Sequence, residues 1–116
     1  METNGKKNSE LATQVSAARM VEEIVGCKWS LSILQLVRTG VNRPGAMERS
    51  VEGLTAKVLT ERLKKLVDYG ILQREAYAEI PPRVEYHLTM FGEKFMGILD
   101  VVNQLEKELD NARNLN

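Results

Sequence analysis

The residues of this chain best suited to recognition chemistry lie in one stretch, Thr55 to Tyr69, and on a loop at Pro81-Pro82-Arg83. On a helical wheel of roughly 100° per residue, Leu59, Leu63, Leu66 and Val67 share one side. Lys57, Thr60, Glu61, Lys64 and Asp68 fall on the other, with Lys65 at its edge. A threonine hydroxyl can bond a base edge, and lysine reaches guanine acceptors or phosphates. On a helix laid in a major groove, the N-terminal residues Thr55, Ala56, Lys57 and Thr60 would go deepest. The same stripe also describes the solvated face of an ordinary amphipathic helix. Glu61 can pair with Lys57 or Lys65 four residues away. At the loop, Arg83 stands beside a stiff Pro-Pro pair, where a preorganised cation can enter a minor groove or bind phosphate. The competing reading is an ion pair to Glu79 or Glu85. Tyr77 and Tyr86 are expected to pack across this hairpin, with Glu75, Glu79 and Glu85 pointing away from any nucleic acid.

Cys27 is the one nucleophile that stands out. It precedes a helix and adjoins Lys28, and both a helix N-terminus and a cation lower a thiol pKa. Two readings stay open: a candidate sensor thiol, or a small, inert, buried cysteine. His87 lies in a strand with no second ligand at metal spacing. No Ser-His-Asp set, phosphate loop or cysteine–histidine cluster is visible. The expectation is therefore a protein without catalytic residues, metal or cofactor.

These residues need elements to position them. Apolar spacing predicts a helix over 10–25, a second over 28–38 ending before Gly40, and a short one over 45–50. Thr55 is a plausible N-cap for a helix running to Tyr69. Strands are expected over 71–78 and 84–88, because the prolines between them cannot donate to a ladder. Thr89 should cap a last helix from Met90 to about Arg113. Residues 1–9 read as a disordered leader, 10–113 as one domain and 114–116 as a tail. This order gives a mainly α fold with a small β-hairpin, a winged helix-turn-helix. An irregular helical bundle with a peripheral hairpin is the alternative. On the last helix Phe91, Phe95, Ile98, Leu99, Val102, Leu105 and Leu109 form a long apolar stripe. Either a second copy or the first helix could cover it.

The 116 residues carry no net charge, yet the distribution is uneven. From Lys28 to Lys94 there are eleven Lys/Arg against eight Asp/Glu, while the flanks carry five against eight. Local charge, not the total, decides whether a surface suits nucleic acid. No apolar run is long enough to span a membrane, and the polar N-terminus does not read as a secretory signal. With a single cysteine, the cytoplasm is the expected compartment.

Several separated motifs then occur in a known order. They are Gly26-Cys27-Lys28-Trp29 with Ser30 to Leu34; Gly53-Leu54-Thr55 with Lys57 to Leu63; Leu66 to Ile71; and Pro81 to Tyr86 with Leu88-Thr89 and Gly92. Over about residues 17–102 the chain resembles the HxlR-type winged helix-turn-helix regulators, related in architecture to MarR-type repressors. The resemblance implies operator binding to double-stranded DNA by a homodimer joined through its terminal helices. It implies recognition-helix roles for Thr55, Ala56, Lys57, Thr60, Arg62 and Lys64, and a wing role for Arg83. For the dimer interface it points to Phe95, Ile98, Leu99, Val102 and Leu105. Arg62 lies toward the inner edge of the wheel, where it can buttress the fold or reach a phosphate. Two features depart from the family pattern. Arg43-Pro44-Gly45-Ala46-Met47 replaces an aromatic, a small polar and an acidic residue, so a shortened helix is expected there. Cys27 replaces a glycine, whereas redox-sensing members carry their cysteine near the first helix. Two other readings stand beside this one: a winged-helix protein-interaction module without DNA binding, and a regulator with a small-molecule effector between its dimer helices.

Overall fold

A computed structural model describes residues 15–114. The leader expected at 1–9 and the proposed helix onset at 10–14 lie outside the described residues. So do the last two residues of the expected tail, whereas Asn114 closes the final helix. Four helices come first: α1 (Ala17–Val25), α2 (Lys28–Arg38), α3 (Pro44–Ser50) and α4 (Ala56–Asp68). A hairpin follows, β1 (Leu72–Tyr77) and β2 (Arg83–Leu88), and then α5 (Met90–Asn114). This is the expected mainly α arrangement with one two-stranded antiparallel sheet.

Local chemistry sets the boundaries. The helix expected from residue 10 has a start at Ser16, whose backbone is extended and whose hydroxyl accepts the Arg19 N–H at 3.0 Å. Pro44 does not break α3 but opens it, because the first turn needs no proline N–H. Thr55 caps α4 as expected, accepting the Val58 N–H at 3.2 Å. Gly70, with φ of +77°, supplies the left-handed turn that ends α4.

Met20, Ile33, Leu34, Met47, Leu59 and Leu66 meet in one core that includes Ile71, Leu72 and Leu99. The hairpin lies against α2 and the end of α4, and α5 rests on β2. Leu72 pairs with Leu88 and Tyr77 with Arg83. The register puts Leu72, Tyr86 and Leu88 on the face toward the core. Tyr77 is on the opposite face with Glu75, Arg83, Glu85 and His87. The two tyrosines therefore do not pack together as expected: they sit at positions of opposite parity.

The apolar stripe of α5 divides between two environments. Phe95, Met96 and Leu99 are buried in the chain's own core. This corrects the expectation that Phe95 and Leu99 form part of a dimer interface: the first turns of α5 cover the hairpin and core, so both are used within the protomer. Ile98, Val101, Leu105 and Leu109 are exposed, at 43–57%, and Val102 is half-exposed. Asp100 ties this helix to α2 through a two-pronged pair with Arg38, at 2.7 and 3.3 Å.

α5 approaches the rest of the domain closely at Gly92, which is buried. A Cβ there would lie 2.1 Å from the Ile71 carbonyl oxygen, which is backbone and cannot swing aside. Gly92→Ala should therefore lower unfolding free energy by about 1–3 kcal/mol, read as a lower urea midpoint. An unchanged midpoint would mean that the contact relaxes freely.

Candidate nucleic-acid interface

α4 presents two faces. Leu59, Leu63 and Leu66 are buried, and Val58 and Val67 pack at the margin. Ala56, Lys57, Thr60, Glu61 and Lys64 are exposed on the other side. Among the described residues, the side chains of Lys57 and Thr60 make no hydrogen bond or ion pair. Thr55 is exposed as well, although its hydroxyl oxygen is engaged by the cap.

The basic residues toward the end of α4 are tied within the chain. Lys64 Nζ lies 3.1 Å from Asp68 Oδ2 one turn on. Lys65 Nζ lies 3.0 Å from Glu23 Oε1 on α1, and the Tyr69 hydroxyl donates to the same carboxylate oxygen. Arg19 Nε donates to the other oxygen of Glu23 at 3.0 Å. The pairing of Glu61 with Lys65 does not form, because Glu23 takes that lysine. Arg62 stands apart from the outward stripe. It is half-buried, and its buried Nε has no hydrogen-bond partner among the described residues.

The residue that sequence reasoning missed is Glu23. It clamps α1 to α4, and its only sequence signal was its place in an acidic pair on an amphipathic helix. The Tyr69 hydroxyl, then Lys65, pull its carboxyl pKa from an ordinary 4.5 down to about 2, against the upward effect of burial.

Around Cys27, which precedes α2, burial raises the thiol pKa. The Ser30 hydroxyl and N–H, the Arg62 charge and the Trp29 N–H outweigh this, so the net shift is downward. The cation that matters is Arg62 rather than the adjacent Lys28, whose ammonium sits 4.9 Å from the Trp29 ring centroid. The thiol is half-buried. Trp29 itself packs against the core.

On the hairpin, Arg83 is heavily engaged. Its Nη2 lies 2.9 Å from Glu79 Oε2 and its Nη1 3.2 Å from Glu85 Oε2. Its Cζ is 3.9 Å from the Tyr77 ring centroid. Glu79 and Glu85 thus turn toward Arg83. Glu85 also meets His87 Nε2 at 3.1 Å through Oε1, and Arg43 Nη2 at 3.6 Å through Oε2. The turn before α3 joins the hairpin through the Tyr86 N–H, which donates to the Asn42 carbonyl at 2.9 Å. No helix of the described residues is long and apolar enough to cross a membrane.

The comparisons with known proteins agree with this geometry. A family model described as HxlR-like helix-turn-helix matches residues 24–113. A protein of Fusobacterium mortiferum, provisionally named regulatory protein MalR, is 38% identical over 84 residues, covering 72% of this chain and 76% of that protein. The uncharacterised HTH-type transcriptional regulator YtcD of Bacillus subtilis is 36% identical over 80 residues. That match covers 69% of this chain but 64% of YtcD, a little under two thirds of its length. A solved structure from Enterococcus faecalis V583, provisionally described as a transcriptional regulator of the MarR family, superposes with a TM-score of 0.73. It is 30% identical and covers 100% of this chain and 97% of its own.

The Glu23 clamp has a pH signature. A carboxyl pKa lower in the folded than the unfolded chain stabilises above the unfolded value, and that stabilisation fades as pH falls toward the folded one. Wild type should therefore be more stable than Glu23→Gln near neutrality. The thermal midpoints of the two should converge as pH falls from about 4.5 toward about 2. A gap that stays constant across that window would contradict the assignment.

Proposed function

Because the chain belongs to the HxlR-like helix-turn-helix family of DNA-binding transcriptional regulators, we propose that it binds double-stranded DNA as a homodimer, with α4 in the major groove and the hairpin as a wing over the adjacent minor groove or backbone. The observation that carries this reading is the exposed stripe of α4. Ala56, Lys57, Thr60 and Lys64 face outward on a helix whose opposite side is locked in the core. Lys57 and Thr60 are the residues we assign to base or phosphate contact. Lys64 joins them if it exchanges Asp68 for a phosphate. Thr55 and Ala56 bring the backbone at the start of α4 close to the groove, and Thr55 acts chiefly as the cap. Arg62 is assigned to supporting the fold behind the helix. The wing contributes through the tip around Arg83. Such a regulator works beside the chromosome, in the cytoplasm.

The homodimer reading rests on the exposed half of α5. Ile98, Val101, Leu105 and Leu109 repeat at helical spacing on a helix of 25 residues. A stripe of this kind is stably buried against an identical stripe related by a two-fold axis. Two copies of α4 would then address half-sites about one helical turn, roughly 34 Å, apart.

Each half of the reading has its own measurement. Lys57→Glu combined with Lys64→Glu should weaken binding to a labelled DNA duplex by about tenfold or more and flatten its salt dependence. Unchanged affinity and slope would favour a protein-interaction module instead. Leu105→Glu should shift the chain from dimer to monomer in sedimentation while leaving the circular dichroism spectrum intact, because Leu105 lies outside the protomer core. A dimer that survives both this change and Val101→Glu would place the interface elsewhere.

A further inference from the structure

We propose that the DNA-backbone contact beside the wing is made by Arg43, and that Arg83 is a positioning residue that keeps Arg43 free to make it; the proposal rests on the DNA-binding reading above. The starting observation is that two guanidinium groups share one carboxylate oxygen and are held very differently by it.

Arg83 has both terminal nitrogens on carboxylates, Glu79 at 2.9 Å and Glu85 at 3.2 Å. One face of its guanidinium is covered by the Tyr77 ring, and its Nε is buried. Its side chain is 27% exposed. A phosphate reaching this group would have to displace charge-assisted bonds from two carboxylates, which would themselves repel it. Arg43 reaches the same Glu85 oxygen only at 3.6 Å, and its side chain is 54% exposed. That distance is too long for a good hydrogen bond. Arg43 makes no other ion pair or side-chain hydrogen bond among the described residues. It lines a cleft together with Pro81 and Pro82 of the hairpin tip.

Glu85 explains why the two arginines depend on each other. Its side chain is 15% exposed, and a carboxylate so withdrawn from water needs cationic or hydrogen-bonding partners. Arg83 supplies the closer bond to Oε2, and His87 meets Oε1. With Arg83 present, Arg43 is left at the edge of the network with its guanidinium toward solvent. Without Arg83, Glu85 would take Arg43 as its partner on that side and draw it out of reach of a phosphate.

The test is the salt dependence of binding to a fluorescein-labelled duplex of about 30 base pairs and arbitrary sequence, since phosphate contacts are sequence-independent. Each lost phosphate contact lowers the slope of log affinity against log salt by about 0.9 per protomer. Arg43→Ala should lower it by that amount, and Arg83→Ala should do the same. The double variant Arg83→Ala/Glu85→Gln should return the slope to the wild-type value, because the carboxylate that captures Arg43 is gone. A merely structural role for Arg83 gives no such rescue. An unchanged slope in Arg43→Ala, or a double variant as low as Arg83→Ala, overturns the proposal while wild-type binding leaves the DNA reading intact. Wild type without salt-dependent duplex binding would overturn both.

Discussion

Everything that α4 and α5 do together passes through the junction at Thr89. The Thr89 hydroxyl donates to the Gly70 carbonyl at 2.6 Å and lies 3.3 Å from that of Ile71. Its oxygen accepts the Gly92 N–H at 2.8 Å, capping α5. The Thr89 N–H donates to Ile71 at 3.1 Å, and the Ile71 N–H returns to the Leu66 carbonyl at 3.0 Å. One side chain thus bonds the end of α4, the entry to β1 and the first turn of α5. Ile71 is fully buried and Gly92 sits against its carbonyl, so the junction has no room to pivot. In a dimer joined through the outer half of α5, the separation of the two α4 helices would follow from this fixed angle, not from a flexible linker.

The same economy governs charge. The basic excess in the middle of the chain is not a pool of free cations. Arg38 is held by Asp100, Lys64 by Asp68, Lys65 by Glu23 and Arg83 by two glutamates. Among the described residues, Lys57, near the start of α4, is not held in this way. That is also the end of a recognition helix expected to sit deepest in a groove. Farther along, Lys65 fixes the helix on its domain through Glu23, while Lys64 pairs within the helix with Asp68. A count of charges therefore misjudges such a surface in both directions, because position along the helix decides which cations are available.

Much of the fold was legible because it depends on local rules. The stripe Leu59, Leu63 and Leu66, the Thr55 cap, the Gly70 stop and the Thr89 cap are each set by residues within one or two turns. The outward face of α4 followed from that stripe, and the ordered motifs from Gly26 to Gly92 carried the family resemblance. What was not legible depends on partners distant in sequence. Glu23 meets Tyr69 and Lys65 only once α1 crosses α4. Phe95 and Leu99 belong to the same stripe as Leu105, and periodicity alone cannot tell which part of a helix lies on its own domain. The relation of Tyr77 to Tyr86 turned on hairpin register, which the proline-containing tip does not declare. Arg62 is similar: the wheel placed it at the inner edge, but its relation to Cys27 required the packing of α2 against α4.

The wing shows why acidic residues are compatible with a nucleic-acid surface. A two-stranded hairpin is marginal alone. Its core face gains support from Leu72, Tyr86 and Leu88, but the tip extends past the core, where Arg74 and Ala76 are exposed. On the outer face, the cross-strand pair Glu75 and Glu85 would repel each other without cations or hydrogen-bond donors between them. His87 lies within 3.4 Å of both, Arg83 bridges Glu85 to Glu79, and the Tyr77 hydroxyl donates to Glu75 at 3.3 Å. These contacts act as a second layer that the two strands lack. Glu79 and Glu85 fix the cation that stiffens the wing, so part of their negative charge is met inside the network. What such a wing offers to an approaching phosphate is then decided at the margin of the network, by the cation its carboxylates hold least tightly.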